Sequence, residues 1–321
     1  MVILSLAALA GLLAYRLRDW DFDWSLFLAS LWNVRPVWLL ASLAATLISY
    51  VIRAFRWQVL LNPLKTIRIQ PLLSTTLVGF SAIYLLGRAG EIVRPLWLTR
   101  REKVPLTASL ATIIVERFFD SIMLILLFGW SLLLIRLPDA TDSIVTLMKN
   151  AAWMMVGGSI AAMVFMLIFR SNINRIVEYI PFPKVANLLK NFAEGLSFLD
   201  RGRSLGMAIA HSAALWIVIA LQFWFMMFGM NFDFSLSAST FGLVAAAIGS
   251  LAQVPAIGGG FQAAYVFCMT TFFLVPAEQA IATSLVAWAF SYAPTITIAG
   301  LYMIYTGLSW KELKAATVTQ S

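Results

Sequence analysis

Five charged side chains stand inside stretches that are otherwise apolar enough to cross a lipid bilayer: Arg53 and Arg56 in 36–61, and Glu116, Arg117 and Asp120 in 106–135. Charge in hydrocarbon is costly, so such residues face a polar interior, a partner or a ligand. Arg53 and Arg56, at i and i+3, share a helix face and lie about 12 and 8 Å from the end of their stretch at Leu61, at about 1.5 Å per residue. From there Arg56 can snorkel to the headgroups easily, and Arg53 less well. Glu116 lies about 15 Å into its own helix, and Asp120 follows one turn later on the same face. Carboxylates at that depth must be protonated or paired. Two readings follow: a salt bridge that locks two helices, with Arg53 or Arg88 as the partner, or a polar cavity that receives a charged headgroup. One residue can serve in both.

A second set of residues lies where apolar stretches are interrupted. Gly87-Arg88-Ala89-Gly90-Glu91-Ile92-Val93-Arg94-Pro95 combines two glycines with a carboxylate and two arginines. Glycine permits a sharp break and close backbone approach. A helix restarting near Gly90 would present backbone N–H groups and the positive end of its dipole to an anion. Arg88 and Arg94 add charge suited to a phosphate. Pro255 through Gln262, with Gly258, Gly259 and Gly260 in a row, offers a similar break in a stretch without any charge. Paired broken helices approaching from opposite faces build the midplane sites of many transporters. The alternative is that the glycines only allow tight helix packing.

The elements that must position these residues are membrane helices. Hydrophobic types make up 61% of the 321 residues and charged types 12%, with a mean hydropathy of +0.87. A soluble domain carries about 25% charged residues, so the bilayer is the solvent for most of this chain. One cysteine, Cys268, excludes an intrachain disulfide, and one histidine, His211, argues against a His- or Cys-based metal site or a Ser-His-Asp triad. The net charge of +8 is read as basic loops beside a membrane, not as a nucleic-acid surface.

Apolar stretches run over 2–15, 36–61, 106–135, 151–169, 204–230 and 278–308. The first is short, and is read as a short or trimmed span in preference to a signal-peptide core, because nothing basic precedes it. Residues 71–99 and 239–274 are read as broken helical hairpins. The second would be about 54 Å long as one helix, too long for a single crossing. If both hairpins return to the side they enter from, most of the 23 Lys and Arg collect on one side, in 65–68, 88–103, 170–203 and 311–314. Arg16, Arg18, Arg35, Arg136 and Lys149 remain on the other. This positive-inside pattern predicts an all-α polytopic membrane protein with about six full transmembrane helices and two re-entrant hairpins entering from opposite sides. Both termini would be cytoplasmic, in the cell membrane. If each hairpin crosses as two spans, the count becomes ten and the sidedness is unchanged. The chain reads as one unit over 1–321, with a cytoplasmic-side hairpin at 71–99 and an outer-side hairpin at 239–274. Between them, a cytoplasmic loop at 170–203 carries an amphipathic helix on the inner surface.

These motifs carry a resemblance. Gly87-Arg88-Ala89-Gly90-Glu91 with Arg94-Pro95, followed by Glu116-Arg117-Phe118-Phe119-Asp120, resembles the flippase-like transmembrane family of lysylphosphatidylglycerol synthases. Arg53-Ala54-Phe55-Arg56-Trp57 is similar to that family's early Arg-x-x-Arg-Trp pattern, and Pro255 through Ala264 to its late Pro-Gly-rich motif. The motifs fall in the family's order over nearly the whole chain. One departs: the late motif usually ends in Glu, and Gln262 stands there. The resemblance implies movement of a lipid or lipid-linked group between leaflets. The fused aminoacyl-transferase domain of some members is absent from this sequence, so lysine transfer is not implied.

The leading expectation is a lipid flippase-like transporter. It would take a headgroup, expected to be charged, into a polar cavity near Arg53, Arg56, Arg88, Glu91, Arg94, Glu116, Arg117 and Asp120, with tails left in the bilayer. No Gly-x-x-x-x-Gly-Lys-Ser/Thr is present, so no nucleotide cofactor is expected, nor any other. Two alternatives stand beside it. One is a membrane-embedded lipid-modifying transferase with Glu91, Glu116 or Asp120 as general base. The other is a non-catalytic partner of a separate lipid synthase or glycosyltransferase.

Overall fold

A computed structural model describes residues 22–135, 142–254 and 258–306. The expected first stretch at 2–15 and the tail beyond 306 lie outside the described residues, as does Pro255. The protein is an all-α polytopic membrane protein. A short α1 (Trp24–Trp32) leads into α2 (Pro36–Leu61), α3 (Ile69–Leu86), a 3₁₀ turn (Gly87–Ile92), α4 (Val93–Glu102), α5 (Leu106–Leu134), α6 (Asp142–Glu178) and α7 (Pro183–Gly195). After a second 3₁₀ turn (Ser197–Asp200) come α8 (Gly202–Gly229), α9 (Leu236–Gly249), a third 3₁₀ turn (Ser250–Ala252), α10 (Gly260–Phe272) and α11 (Ala277–Thr306). Among the described residues four helices are long and apolar enough to cross a membrane: α2, α3, α8 and α11.

Local chemistry sets the ends of these helices. Asp23 caps α1 by accepting from the backbone N–H groups of Ser25 and Leu26 at 2.9 and 3.0 Å. The Ser25 hydroxyl also donates to it, and holds its carboxyl below the usual range. Pro36 opens α2 and Pro183 opens α7, positions where the missing N–H costs nothing. The outer faces are apolar. Leu40, Ile48 and Phe55 on α2 and Ile217 on α8 are exposed, the inverse of a soluble protein and the arrangement hydrocarbon requires.

The order of elements repeats. A long helix, a broken hairpin and a long helix run from α2 to α5 and again from α8 to α11. Each hairpin returns to where it began. Lys65, before α3, bonds the carboxylate of Glu102 at the end of α4 at 3.1 Å. Phe234, before α9, packs against Phe273 after α10, with ring centroids 5.2 Å apart. The two hairpins start from opposite ends of α2. Asp233 pairs with Arg35 at its beginning, at 3.4 Å, whereas Lys65 follows its last residue, Leu61. That end-to-end length is about 39 Å.

Hydropathy placed one helix too short at both ends. The fourth apolar stretch runs over 151–169, but α6 extends from Asp142 to Glu178, because a helix ends where its backbone is interrupted and not where its side chains turn polar. Pro181 and Pro183 supply that interruption. The amphipathic helix expected within 170–203 is α7, which packs Ala193 against Ile173 and Val177 of α6. It stops at Gly195, and the 3₁₀ turn then carries Phe198 into a cluster with Leu60, Val115 and Phe119. Arg170 and Asp200 close this unit at 2.6 Å.

Candidate functional site

Four charges meet in the middle of the helix bundle, beneath the first hairpin. Arg56 of α2 donates from Nη1 to Asp120 Oδ1 at 2.6 Å and to Ser212 Oγ of α8 at 3.2 Å. Its Nε lies 3.8 Å from Glu116 Oε1. Arg94 of α4 reaches Glu116 from the other side with both terminal nitrogens, Nη2 to Oε1 at 3.2 Å and Nη1 to Oε2. Glu116 is 0% exposed, Arg56 1% and Arg94 2%. The bidentate fork and the second arginine satisfy both carboxylate oxygens, the condition for burying charge. The guanidinium carbon of Arg94 also sits 3.8 Å from the centre of the Trp57 ring, a cation–π contact in a water-poor setting. Trp57 is held by its indole N–H to Thr112 Oγ1 at 3.1 Å. The network therefore ties α2, α4, α5 and α8 together.

Asp120 is the partly open corner of this cluster. Besides Arg56 it accepts from the indole N–H of Trp216 at 3.1 Å and has Arg117 at 3.7 Å. Arg117 is the most exposed member, with 42% of its side chain open.

Arg53, one turn before Arg56, does not join the network. It lies over the Phe80 ring at 4.8 Å and makes no ion pair among the described residues. Its Nε is buried without a hydrogen-bond partner. Arg53 lines a cavity of about 160 Å³ whose wall comes from α2, α3, α8, α9, α10, α11 and the third 3₁₀ turn. The polar groups there include Tyr50 and Tyr84, whose hydroxyls are 2.9 Å apart, and Gln222, which donates to Ser291 Oγ at 3.2 Å. Tyr84 lies near the break of the first hairpin, and Ser250 and Phe261 flank the break of the second. Both hairpin tips thus border the same space.

The glycines expected at the breaks serve several purposes. Gly87 has φ 65°, a conformation that favours glycine. Gly90 packs so tightly on the backbone of Ala82 that a Cβ would collide with its carbonyl. That is the close-packing role. Glu91 is half-buried in the 3₁₀ turn, and the side chain of Arg88 lies outside those described. In the second hairpin, Gly258 and Gly259 pair with Val254 and Gln253 in a two-residue antiparallel bridge. Gly259 has φ 87° and precedes Gly260, the first residue of α10. Gln262 Oε1 accepts from the Gly259 backbone N–H at 2.7 Å. A carboxylate could accept the same bond, so an amide fills this capping role without a charge.

Sequence reasoning thus named every charged member of the network but paired them differently. It offered Arg53 or Arg88 as partner of the deep carboxylates, and the structure uses Arg56 and Arg94. It also missed Tyr50, Tyr84, Trp216, Gln222, Ser291 and Tyr292. Polar and aromatic residues are common in membrane helices, and nothing in their spacing marks six of them on four helices as facing one space.

A family model described as Lysylphosphatidylglycerol synthase TM region matches residues 2–300 of the chain. No curated protein and no solved structure gives a match.

Proposed function

The chain belongs to the lysylphosphatidylglycerol synthase TM-region family, and on that footing we propose that it is a flippase-like transporter that moves a polar-headed lipid between the leaflets of the cell membrane. The observation that carries this reading is Arg53. It is a guanidinium with a buried, unbonded Nε and no ion pair among the described residues, at the wall of a polar cavity between two broken hairpins. A charge left in that state inside a membrane calls for a partner that arrives from outside the fold. The headgroup occupies the cavity while the tails stay in hydrocarbon. The salt-bridge network of Arg56, Arg94, Glu116 and Asp120 forms the rigid floor beside it. Hairpins that start from opposite ends of α2 give the site two approaches, the arrangement that alternating access requires. The basic loops 65–68, 88–103 and 170–203 face the cytoplasm, with both termini on that side.

Purified protein in liposomes tests this directly. Exchange of labelled lipid between leaflets, with lipid mass unchanged, is the expected result. Appearance of a new lipid species would replace this reading with a lipid-modifying transferase. Neither exchange nor conversion would leave a non-catalytic partner of a lipid synthase or glycosyltransferase.

A further inference from the structure

We propose that the cavity selects a headgroup made of a phosphate ester bearing neutral hydroxyls, and disfavours one that carries an ammonium; this rests on reading the cavity as a lipid-headgroup site. Among the described residues Arg53 is the one formal charge that lines the cavity, and no carboxylate does. The nearby carboxylates are already engaged. Glu116 has no exposed surface and is held by two arginines. Asp120 accepts from the indole of Trp216, the residue that lines the cavity on that side. An ammonium entering the cavity would meet a guanidinium and find no anion. A phosphate would meet a planar fork that matches two of its oxygens.

The remaining wall suits the rest of such a headgroup. The hydroxyls of Tyr50, Tyr84, Ser291 and Tyr292 and the amide of Gln222 can each donate and accept, which fits neutral hydroxyls. The Tyr84 and Tyr292 rings meet at a tilt of 41° with centroids 3.7 Å apart and add apolar surface beside them. A space of about 160 Å³ equals the liquid volume of about five waters at ~30 Å³ each, room for a small headgroup but not for acyl chains. Aromatic walls can also cradle a quaternary ammonium, but a guanidinium in the same space opposes it. The lysyl group that gives the family its name would bring ammonium charge to a cavity with no carboxylate among its described lining residues.

The test uses the full chain purified in detergent and titrated by calorimetry with short-chain lipids: dihexanoyl phosphatidylglycerol, its lysyl ester, and dihexanoyl phosphatidylcholine. Phosphatidylglycerol is expected to bind at least tenfold more tightly than either of the others. Arg53→Gln should erase that preference, Arg53→Lys should keep the ranking with weaker binding, and Arg35→Gln, in an exposed ion pair at the start of α2, should change nothing. Equal affinities, or tighter binding of the lysyl ester or of phosphatidylcholine, would overturn the proposal. The wild-type ranking decides the matter even if Arg53→Gln does not fold. Glycerol 3-phosphate should bind at least tenfold more weakly than the lipid; equal binding would overturn a lipid as the source of the phosphate. Failure of the transport reading is separately visible: selective binding with no leaflet exchange sinks transport alone, and exchange without headgroup preference sinks the selectivity alone.

Discussion

Arg53 and Arg56 stand one helical turn apart on α2 and end in opposite electrostatic surroundings. Arg56 is enclosed, with Asp120 at 2.6 Å and Glu116 at 3.8 Å. Arg53 has an aromatic ring at 4.8 Å and a cavity in front of it. Three residues along a helix leave the two side chains about 60° apart around the axis and about 4.5 Å apart along it. That offset points Arg56 at the carboxylate face of α5 and leaves Arg53 over the space between the hairpins. One arginine is locked into an ion-pair network and the other lines a cavity, so the two substitutions are expected to have different consequences.

Arg56→Gln is expected to destabilise the protein by about 3–5 kcal/mol, because it leaves buried carboxylate charge uncompensated. Glu116→Gln should cost a similar amount by depriving Arg94. Pairing Arg56→Gln with Asp120→Asn should recover a large part of the loss. Thermal unfolding in detergent reads this out, and singles that melt like the wild type would mean that the network is not structural.

Arg53→Gln should leave the melting temperature within a few degrees of wild type while lipid exchange in liposomes falls at least tenfold. The group is half-buried with no ion pair to lose among the described residues, so its removal relieves a desolvation cost. A large drop in folded protein with normal exchange per molecule would reverse the roles assigned to the two arginines.

Gly90→Ala should sharply reduce the yield of folded protein. The added methyl meets the Ala82 backbone, which cannot move aside as a flexible side chain would. By contrast Gly129→Ala, with nothing within 4 Å of the added atom, should be tolerated. Comparing the monodisperse fraction of the two variants after extraction checks the difference.

Gln262→Glu should fold like the wild type, since a carboxylate accepts the same bond from the Gly259 N–H. Gln262→Ala should cost about 0.5–2 kcal/mol, the usual value of a lost helix cap. If Gln262→Glu melts far below Gln262→Ala, capping is not the role of this side chain.

Sidedness can be read with an impermeant thiol reagent in a variant lacking Cys268. A cysteine at Asp233 should label from outside intact cells. Cysteines at Lys65 and Lys190 should label only after the membrane is opened. Labelling of Lys65 and Lys190 from opposite sides would break the proposed topology.

Composition alone is enough to make the bilayer the solvent of this chain. The sequence by itself also determined where most long helices lie and that two stretches break, because length, apolar content and Gly or Pro interruptions are local properties. It singled out Arg53, Arg56, Glu116, Arg117 and Asp120, since charge in an apolar run is visible without a structure. It could not decide which charge pairs with which. Depth along a helix is legible in residue numbers, but the rotation of one helix against another is set by packing many side chains at once. Trp57 beneath Arg94, Gly90 against Ala82 and Ser212 beside Arg56 fix those rotations. Only the tertiary structure could therefore separate Arg53 from the network and gather Tyr50, Tyr84, Gln222 and Ser291 around it. A cavity is the space that several packed helices leave between them, and no single segment of sequence encodes it.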